Sequence, residues 1–158
     1  VARCTWAEID LTAQIWRIPS ERTKNGKAHE VYLSDQAVAV LARAKSEAQF
    51  VFSKTGQFAF QGFGPSKRKL DVLANVTGWR LHDLRRTCVS GMARLGTAPH
   101  VADKILNHQS GTISGVAAVY QRHDFLAERR KALEIWGAHV AFVVDTLRAE
   151  QSETRKAA

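Results

Sequence analysis

Residues 15–33 have the sequence IWRIPSERTKNGKAHEVYL, and this stretch decides how the first third of the chain folds. It contains two short runs rich in β-branched and aromatic residues, which are typical of strands. The Asn25-Gly26 pair between them favours a tight hairpin turn, because both residue types tolerate a positive φ angle. A weaker apolar alternation over residues 4–11 supplies a third strand. The sequence therefore predicts a small antiparallel sheet of three strands with a basic hairpin tip.

Helical periodicity replaces the strand pattern after residue 34. Apolar residues spaced three and four apart, together with capping residues, predict helices in the rest of the chain. These helices span residues 35–48, 66–76, 82–95, 99–106, 113–120 and 123–148, and residues 56–65 form a glycine-rich loop. The expected fold class is α+β and mainly helical, with the small three-stranded antiparallel sheet packed on a helical body. We expect one domain over residues 1–148 and a polar, disordered tail over residues 149–158.

The 158-residue chain has a net charge of +8, and this charge is unevenly distributed. Residues 51–100 carry eight basic and two acidic side chains, so most of the excess lies in the middle third. Such a basic surface favours a polyanion as partner, nucleic acid above all, although a solvated basic face has the same composition. The two cysteines are too few for a disulfide scaffold and fit a reducing cytosol. No apolar run is long enough for a membrane helix, and no signal-peptide pattern is found.

Several side chains are candidates for anion chemistry, each with a simpler alternative. His82 and Arg85 share one face at the start of a predicted helix, where they form either an anion site or two solvated charges. Lys24 on the hairpin tip reaches into a ligand groove or points into water, and His108 bonds an anion or caps a helix. Tyr120 is a core residue or a nucleophile activated by nearby cations. No Cys or carboxylate stands at ligand spacing from either histidine, so we expect no metal site.

Four separated motifs bring these candidates together in a fixed order. They are Arg22-Thr23-Lys24-Asn25-Gly26, Leu81-His82-Asp83-Leu84-Arg85-Arg86-Thr87, Leu106-Asn107-His108 and Val119-Tyr120. A hairpin lysine, a His-x-x-Arg motif, a second histidine and a tyrosine follow one another in the same order in the catalytic domain of tyrosine recombinases, the phage integrase family. The chain resembles this domain over nearly its whole length, and in particular the integrases of bacterial prophages and genomic islands.

The resemblance implies a role for each matching residue in site-specific cleavage and rejoining of DNA. Tyr120 would attack the scissile phosphate and form a 3′-phosphotyrosine bond. Arg85 would hold the non-bridging oxygens, His82 would assist proton transfer, and His108 would position the phosphate. Lys24 would protonate the leaving 5′ oxygen. The reaction exchanges one phosphate ester for another, so it implies no metal, ATP or other cofactor.

The resemblance also implies double-stranded DNA at attachment sites as the partner, at the nucleoid in the bacterial cytoplasm. The other basic residues of the middle third are candidates for binding flanking phosphates: Lys54, Lys67, Arg68, Lys69, Arg80 and Arg86. The apolar face of the helix after His123 would either pack within the same chain or join neighbouring copies into a homotetramer on DNA. Without DNA we expect a monomer.

The chain departs from the family pattern at two places. The family has another arginine, in a Thr-Gly-x-Arg segment before the first strand, and no residue of this chain matches it. Asn107 stands where many relatives have glycine. We therefore expect a truncated catalytic domain that binds DNA weakly and cleaves it poorly or not at all. Two alternatives stay open, namely a DNA-relaxing enzyme similar to type IB topoisomerases and a non-catalytic DNA-binding module from a decayed integrase.

Overall fold

The sheet forms near the N-terminus of the computed structural model, which describes residues 1–108 and 123–157. Its strands are β1 (Ile9–Asp10), β2 (Ile15–Ile18) and β3 (His29–Tyr32), and both pairings are antiparallel in the order β1-β2-β3. Ile18 at the end of β2 pairs with His29 at the start of β3. The predicted three-stranded antiparallel sheet is therefore confirmed.

The connection between β2 and β3 is longer than the predicted tight turn. It covers residues 19–28 and begins with a 3₁₀ turn over Ser20–Arg22. Pro19 has no N–H to donate, so the ladder ends beside it and the strands do not continue to Asn25. Gly26 has a positive φ of 68°. The hairpin is confirmed, but the prediction of a tight Asn-Gly turn is wrong.

The segment predicted as the first strand is extended only at its end. A 3₁₀ turn over Trp6–Glu8 precedes β1, and the Glu8 carboxylate accepts a hydrogen bond from the Trp16 indole N–H at 2.9 Å. Thr5 forms an isolated antiparallel bridge with Phe50. This bridge attaches the chain after the first helix to the side of the sheet.

Five helices account for most of the other described residues. They are α1 (Asp35–Ala44), α2 (Phe63–Ala74), α3 (Leu81–Arg94), α4 (Pro99–Ile105) and α5 (Leu126–Ala157). The sequence predicts all five, and the architecture confirms the mainly helical α+β fold class. The sixth predicted helix, over residues 113–120, lies outside the described residues. Within the two described ranges, no helix is both long enough and apolar enough to cross a membrane.

Several helix ends differ from the predicted ones, including the start of α5, which is Leu126 rather than residue 123. Helix α1 ends at Ala44, and α2 begins at Phe63, so Pro65 lies in its first turn rather than in a loop. Proline is tolerated there, because the first N–H groups of a helix have no intrahelical partner. Helix α5 continues through residues 149–157, for which the sequence analysis predicts a disordered tail. Most of these residues are Ala, Glu, Gln, Lys or Arg, which have high helix propensity.

Buried apolar side chains form two clusters on either side of α5. One cluster lies between the sheet and α1, and its buried members are Cys4, Leu33, Leu41 and Val51. The other cluster joins α3, α4 and α5, and its buried members are Met92, Val101, Ala102 and Ala132. Helix α5 contacts α1, α3, α4 and β3. This long helix therefore connects the sheet side of the molecule to the helical side.

Candidate active site

The turn over residues 105–108, at the C-terminus of α4, is the point where the candidate residues meet. Asn107 has a left-handed φ of 55°. Its N–H donates to the Lys104 carbonyl at 3.1 Å, and the His108 N–H donates to the Asp103 carbonyl at 3.0 Å. This pair of bonds is the Schellman motif that ends many helices. The motif fixes the direction in which the chain leaves α4 and thereby positions His108.

Arg85 reaches this turn from α3. Its Nη2 donates a hydrogen bond of 2.6 Å to the carbonyl of Leu106. The N-terminus of α3 is fixed by Asp83, whose carboxylate accepts from the Arg80 backbone N–H at 2.8 Å. A guanidinium has five N–H donors, so Arg85 can hold the turn and an anion at once. His82 is exposed in the first turn of α3, one helical turn before Arg85.

The β2–β3 connection reaches the same turn from the sheet. Asn25 Nδ2 donates to Asn107 Oδ1 at 2.7 Å, and these two residues are 82 positions apart in the chain. His29 at the start of β3 has its Nε2 3.2 Å from the Ile105 carbonyl oxygen. Lys24 is exposed and is the neighbour of Asn25. The structure therefore brings the hairpin lysine motif, the His-x-x-Arg motif and the second histidine motif to one turn.

The two histidines at the turn differ in their surroundings. Burial lowers the pKa of His29 below its ordinary value of 6.5, and the charges of Arg129 and Arg85 act in the same direction. His29 is therefore neutral at pH 7 and can donate its Nε2 proton to the Ile105 carbonyl. His108 is exposed, and its Nδ1 lies 3.4 Å from Asp103 Oδ1.

Tyr120, the predicted nucleophile, lies outside the described residues. The described chain resumes at His123. Asp124 accepts from Lys104 Nζ of α4 at 3.3 Å. Buried Arg129 of α5 donates to the backbone carbonyls of Asp124, at 3.4 Å, and of Glu30 in β3. The chain just after the tyrosine motif is therefore tied to both α4 and the sheet.

The basic residues predicted to bind DNA backbone fall into two groups. Arg68, Lys69 and Arg80 are exposed on α2 and just before α3. The other three have intramolecular partners. Lys67 donates to the Asp71 carboxylate at 2.7 Å and lies over the Trp79 ring. Arg86 donates to the Asp83 carboxylate at 3.2 Å, and Lys54 lies over the Phe60 ring. The exposed group is the better placed for a polyanion, because a paired cation must exchange its partner first.

Sequence reasoning missed three residues that organise the turn. Asn25 was assigned only to a turn, and nothing in the sequence near His29 marks it as a partner of α4. Arg129 carries a usable signal, because it lies four residues from both Phe125 and Leu133 on the apolar face of its helix. A charge at such a position indicates a buried partner, which here is the Glu30 carbonyl. In the two described ranges, no three His, Cys, Asp or Glu side chains are grouped as metal ligands.

Comparison with known proteins agrees with this arrangement of motifs. The sequence model of the family described as "Phage integrase family" matches residues 1–126, which is most of the chain. The chain belongs to the phage integrase family. Among curated phage integrase relatives, it is 30% identical over 144 residues to "Prophage integrase IntA" of Escherichia coli strain K12. The alignment covers 85% of this chain and 33% of IntA, so the chain spans about a third of that relative's length. No solved structure matches this phage integrase chain significantly.

Membership in the family confirms the resemblance to tyrosine recombinases that the four motifs indicate. The matched region includes the hairpin lysine, the His-x-x-Arg motif, the second histidine and the tyrosine. Helix α5 lies almost entirely beyond this region.

Proposed function

We propose that this chain is the catalytic domain of a site-specific DNA recombinase, which cleaves and rejoins DNA through a 3′-phosphotyrosine intermediate. One observation carries the proposal. Two motifs that are far apart in the sequence contact the turn that carries the third motif, residues 105–108, through Asn25 and Arg85, and His29 of β3 contacts the same turn. This turn carries His108 and is exposed at its end. The Arg85 guanidinium at this turn, together with exposed Lys24 beside Asn25, supplies the positive charge that suits a phosphate group.

The proposed reaction assigns one task to each residue. The Tyr120 phenol oxygen attacks the scissile phosphorus while His82 assists removal of its proton, and the bond from phosphorus to the 5′ oxygen breaks. Lys24 donates a proton to that 5′ oxygen, while Arg85, His82 and His108 stabilise charge on the non-bridging oxygens. One phosphate ester replaces another, so the bond energy is conserved and the 5′ hydroxyl can later reverse the step. Fixed cations of this kind account for a large part of the rate of phosphoryl transfer.

The DNA on either side of the reacting phosphate is the proposed ligand of the middle third of the chain. Arg68, Lys69 and Arg80 supply exposed charge near the N-terminus of α3. Lys54, Lys67 and Arg86 would join them once DNA competes with their intramolecular partners. Contacts of this kind set affinity without reading sequence, so they should be sensitive to salt.

Covalent capture tests the proposal directly. The complete protein is incubated with random-sequence duplexes that carry a nick, so that cleavage near the nick releases a short strand and traps the adduct. We expect a protein–DNA adduct that Tyr120→Phe abolishes. Tyr32→Phe is the matched control, because Tyr32 bonds Gln14 and Glu134 and should not be required for the adduct.

The outcomes of this experiment separate the competing functions. DNA binding without any adduct would support a non-catalytic module. An adduct together with plasmid relaxation, but without joining of two separate sites, would support an enzyme similar to type IB topoisomerases. We expect slow cleavage by this chain, because none of its residues matches the second family arginine.

We also propose that α5 joins neighbouring copies when they are bound to DNA. Beyond Trp136, several of its large apolar side chains are exposed: Val140, Phe142, Val143, Val144 and Leu147. Exposed apolar residues of this kind on one helix suit a partner surface. Sedimentation should show a monomer without DNA and a tetramer on DNA with two joined sites. A stable tetramer in the absence of DNA would contradict this proposal.

A further inference from the structure

The Asn25–Asn107 hydrogen bond crosses between two parts of the molecule. The Asn25 side chain uses both ends of its amide: Oδ1 accepts from the Lys27 N–H at 3.1 Å, and Nδ2 donates to Asn107 Oδ1 at 2.7 Å. Thr23 Oγ1 lies within hydrogen-bond distance of the Lys27 and Ser20 carbonyls, at 2.8 Å and 2.9 Å. The connection is therefore braced internally, and Asn25 joins the braced unit to the end of α4.

The partner, Asn107, occupies a position that a glycine could also fill. Its φ of 55° is left-handed, a conformation that glycine adopts freely and asparagine tolerates best among the other residues. The backbone therefore does not require the asparagine side chain. What the side chain adds is the oxygen that accepts from Asn25.

We propose that Asn25 and Asn107 form a latch that positions Lys24 for its role as general acid, an inference that rests on the proposed function above. Lys24 precedes Asn25 and His108 follows Asn107, so each reacting side chain lies one residue from the hydrogen bond. Consecutive Cα atoms are about 3.8 Å apart, so the latch couples the two backbones closely. A lysine side chain is long and mobile, and fixing its backbone reduces the number of positions that its Nζ samples around the leaving oxygen.

The test exploits what a general acid does. Lys24 Nζ gives a proton to the 5′ oxygen as the phosphorus–oxygen bond breaks. If sulfur replaces that bridging oxygen, the leaving group is a thiolate, whose conjugate acid has an ordinary pKa of about 8.5. Such a group leaves without a proton. A variant that only impairs proton donation by Lys24 should therefore cleave the sulfur substrate at a normal rate. A defect in folding, DNA binding or phosphate stabilisation persists on both substrates.

The experiment measures single-turnover cleavage by the complete protein. The duplex is one isolated from a random-sequence pool by covalent capture, prepared with either oxygen or sulfur at the 5′ bridging position. Lys24→Ala should slow cleavage of the oxygen substrate by roughly 10²–10⁴-fold. On the sulfur substrate, the same variant should cleave at nearly the rate of the unaltered protein. Asn107→Gly and Asn25→Ala should each slow the oxygen reaction about tenfold and leave the sulfur reaction within about twofold. The double variant should be no slower than Asn25→Ala alone, because Asn25→Ala already removes the bond to Asn107 together with the bond from the Lys27 N–H.

Asn75→Gly is the matched control for the substitution itself. Asn75 is also left-handed, with a φ of 51°, and it lies at the C-terminus of α2 on an exposed surface. It should leave both cleavage rates unchanged.

Each other result overturns the latch. If Asn107→Gly slows cleavage of both substrates equally, the Asn25–Asn107 bond has a purely structural role. If it slows neither, the bond does not contribute to cleavage. Additive losses in the double variant would show two independent effects. These failures are distinct from failure of the proposed function, in which the unaltered protein forms no adduct on either substrate. If sulfur does not rescue Lys24→Ala, Lys24 is not the acid, and the latch has no acid to position.

Discussion

Arg129 is a charged side chain in the interior, and its contribution to the free energy of unfolding can be measured. It is 8% exposed and donates to the Glu30 and Asp124 carbonyls. Arg129→Met keeps most of the aliphatic bulk but leaves those carbonyls without their donor. We expect the free energy of unfolding to fall by about 2–3 kcal/mol, as for a lost hydrogen bond to a charged group. Urea denaturation measures this change.

Arg130→Met is the control for the Arg129 prediction. Arg130 is the next residue, but it is exposed and bonds Glu134 at 3.3 Å while lying over the Tyr32 ring. Exposed ion pairs contribute about 0–1 kcal/mol, so the loss should be smaller. Equal losses in the two variants would show that burial of Arg129 contributes nothing.

His29 should make stability depend on pH in the mildly acidic range. Burial depresses its pKa in the folded protein below the ordinary 6.5, so the unfolded chain takes up the proton first as the pH falls. The stability from neutral His29 is fully present above about pH 6.5 and is lost as the pH falls towards the folded pKa. Thermal unfolding between pH 8 and pH 5 should show a shallower decline for His29→Gln, which does not titrate. Parallel curves would contradict the prediction.

The residues proposed to carry chemistry are marked more clearly in the sequence than the residues that contact the turn around them. Lys24, His82, Arg85 and His108 belong to motifs with characteristic spacing, so the sequence marks them as candidates. The contacts of Asn25 and His29 with the end of α4 join residues 82 and 76 positions apart. No local pattern encodes such a pairing, because it depends on how the sheet docks against the helices.

At the scale of elements, Gly91 lets α5 approach α3. A Cβ atom at this position would overlap the six-membered ring of Trp136. Gly91→Ala should therefore lower the free energy of unfolding by about 1–3 kcal/mol, since an added methyl group forces a packed side chain out of place. Chemical denaturation followed by tryptophan fluorescence measures the loss.

Gly64 provides the opposite case for the same substitution. It lies in the first turn of α2, where an added Cβ would be 3.9 Å from Arg68 Nη1, an ordinary contact. Gly64→Ala should raise stability by up to about 1 kcal/mol through helix propensity alone. Stabilisation by both substitutions would refute the argument from Trp136 packing.

The types of element were predictable, but some of their ends were not. The predicted start of α1 at residue 35 is confirmed, and Ser34 before it accepts from the Ala37 N–H at 3.4 Å. The end of β2 follows from the sequence, because Pro19 stops the ladder there. The Asn-Gly signal, by contrast, did not predict that the connection to β3 covers residues 19–28. The end of α5 was misjudged because polarity was taken as a sign of disorder, although residues 149–157 are rich in good helix formers.

At the scale of the whole molecule, the sheet and the helices meet through side chain to backbone bonds at the turn over residues 105–108 and at Glu30. Composition predicted a polyanion partner, and the motif order predicted the family. Neither predicted that Lys67, although it lies in the most basic third of the chain, would pair with Asp71 and Trp79. Such pairing follows from helical spacing only once the helix and its neighbours are known.

The exposed cations of α2 should therefore control non-specific DNA binding. Arg68→Gln with Lys69→Gln removes two positive charges without touching the turn at residues 105–108. If both side chains contact phosphates, the slope of log affinity against log salt should shrink by about 1.8, because each contact releases about 0.9 counterions. Fluorescence anisotropy with a random duplex from 50 to 200 mM salt measures the slope. Arg155→Gln with Lys156→Gln removes the same charge from the far end of α5 and should change the slope much less. Equal changes in the two pairs would show that net charge, rather than the position of α2, determines binding.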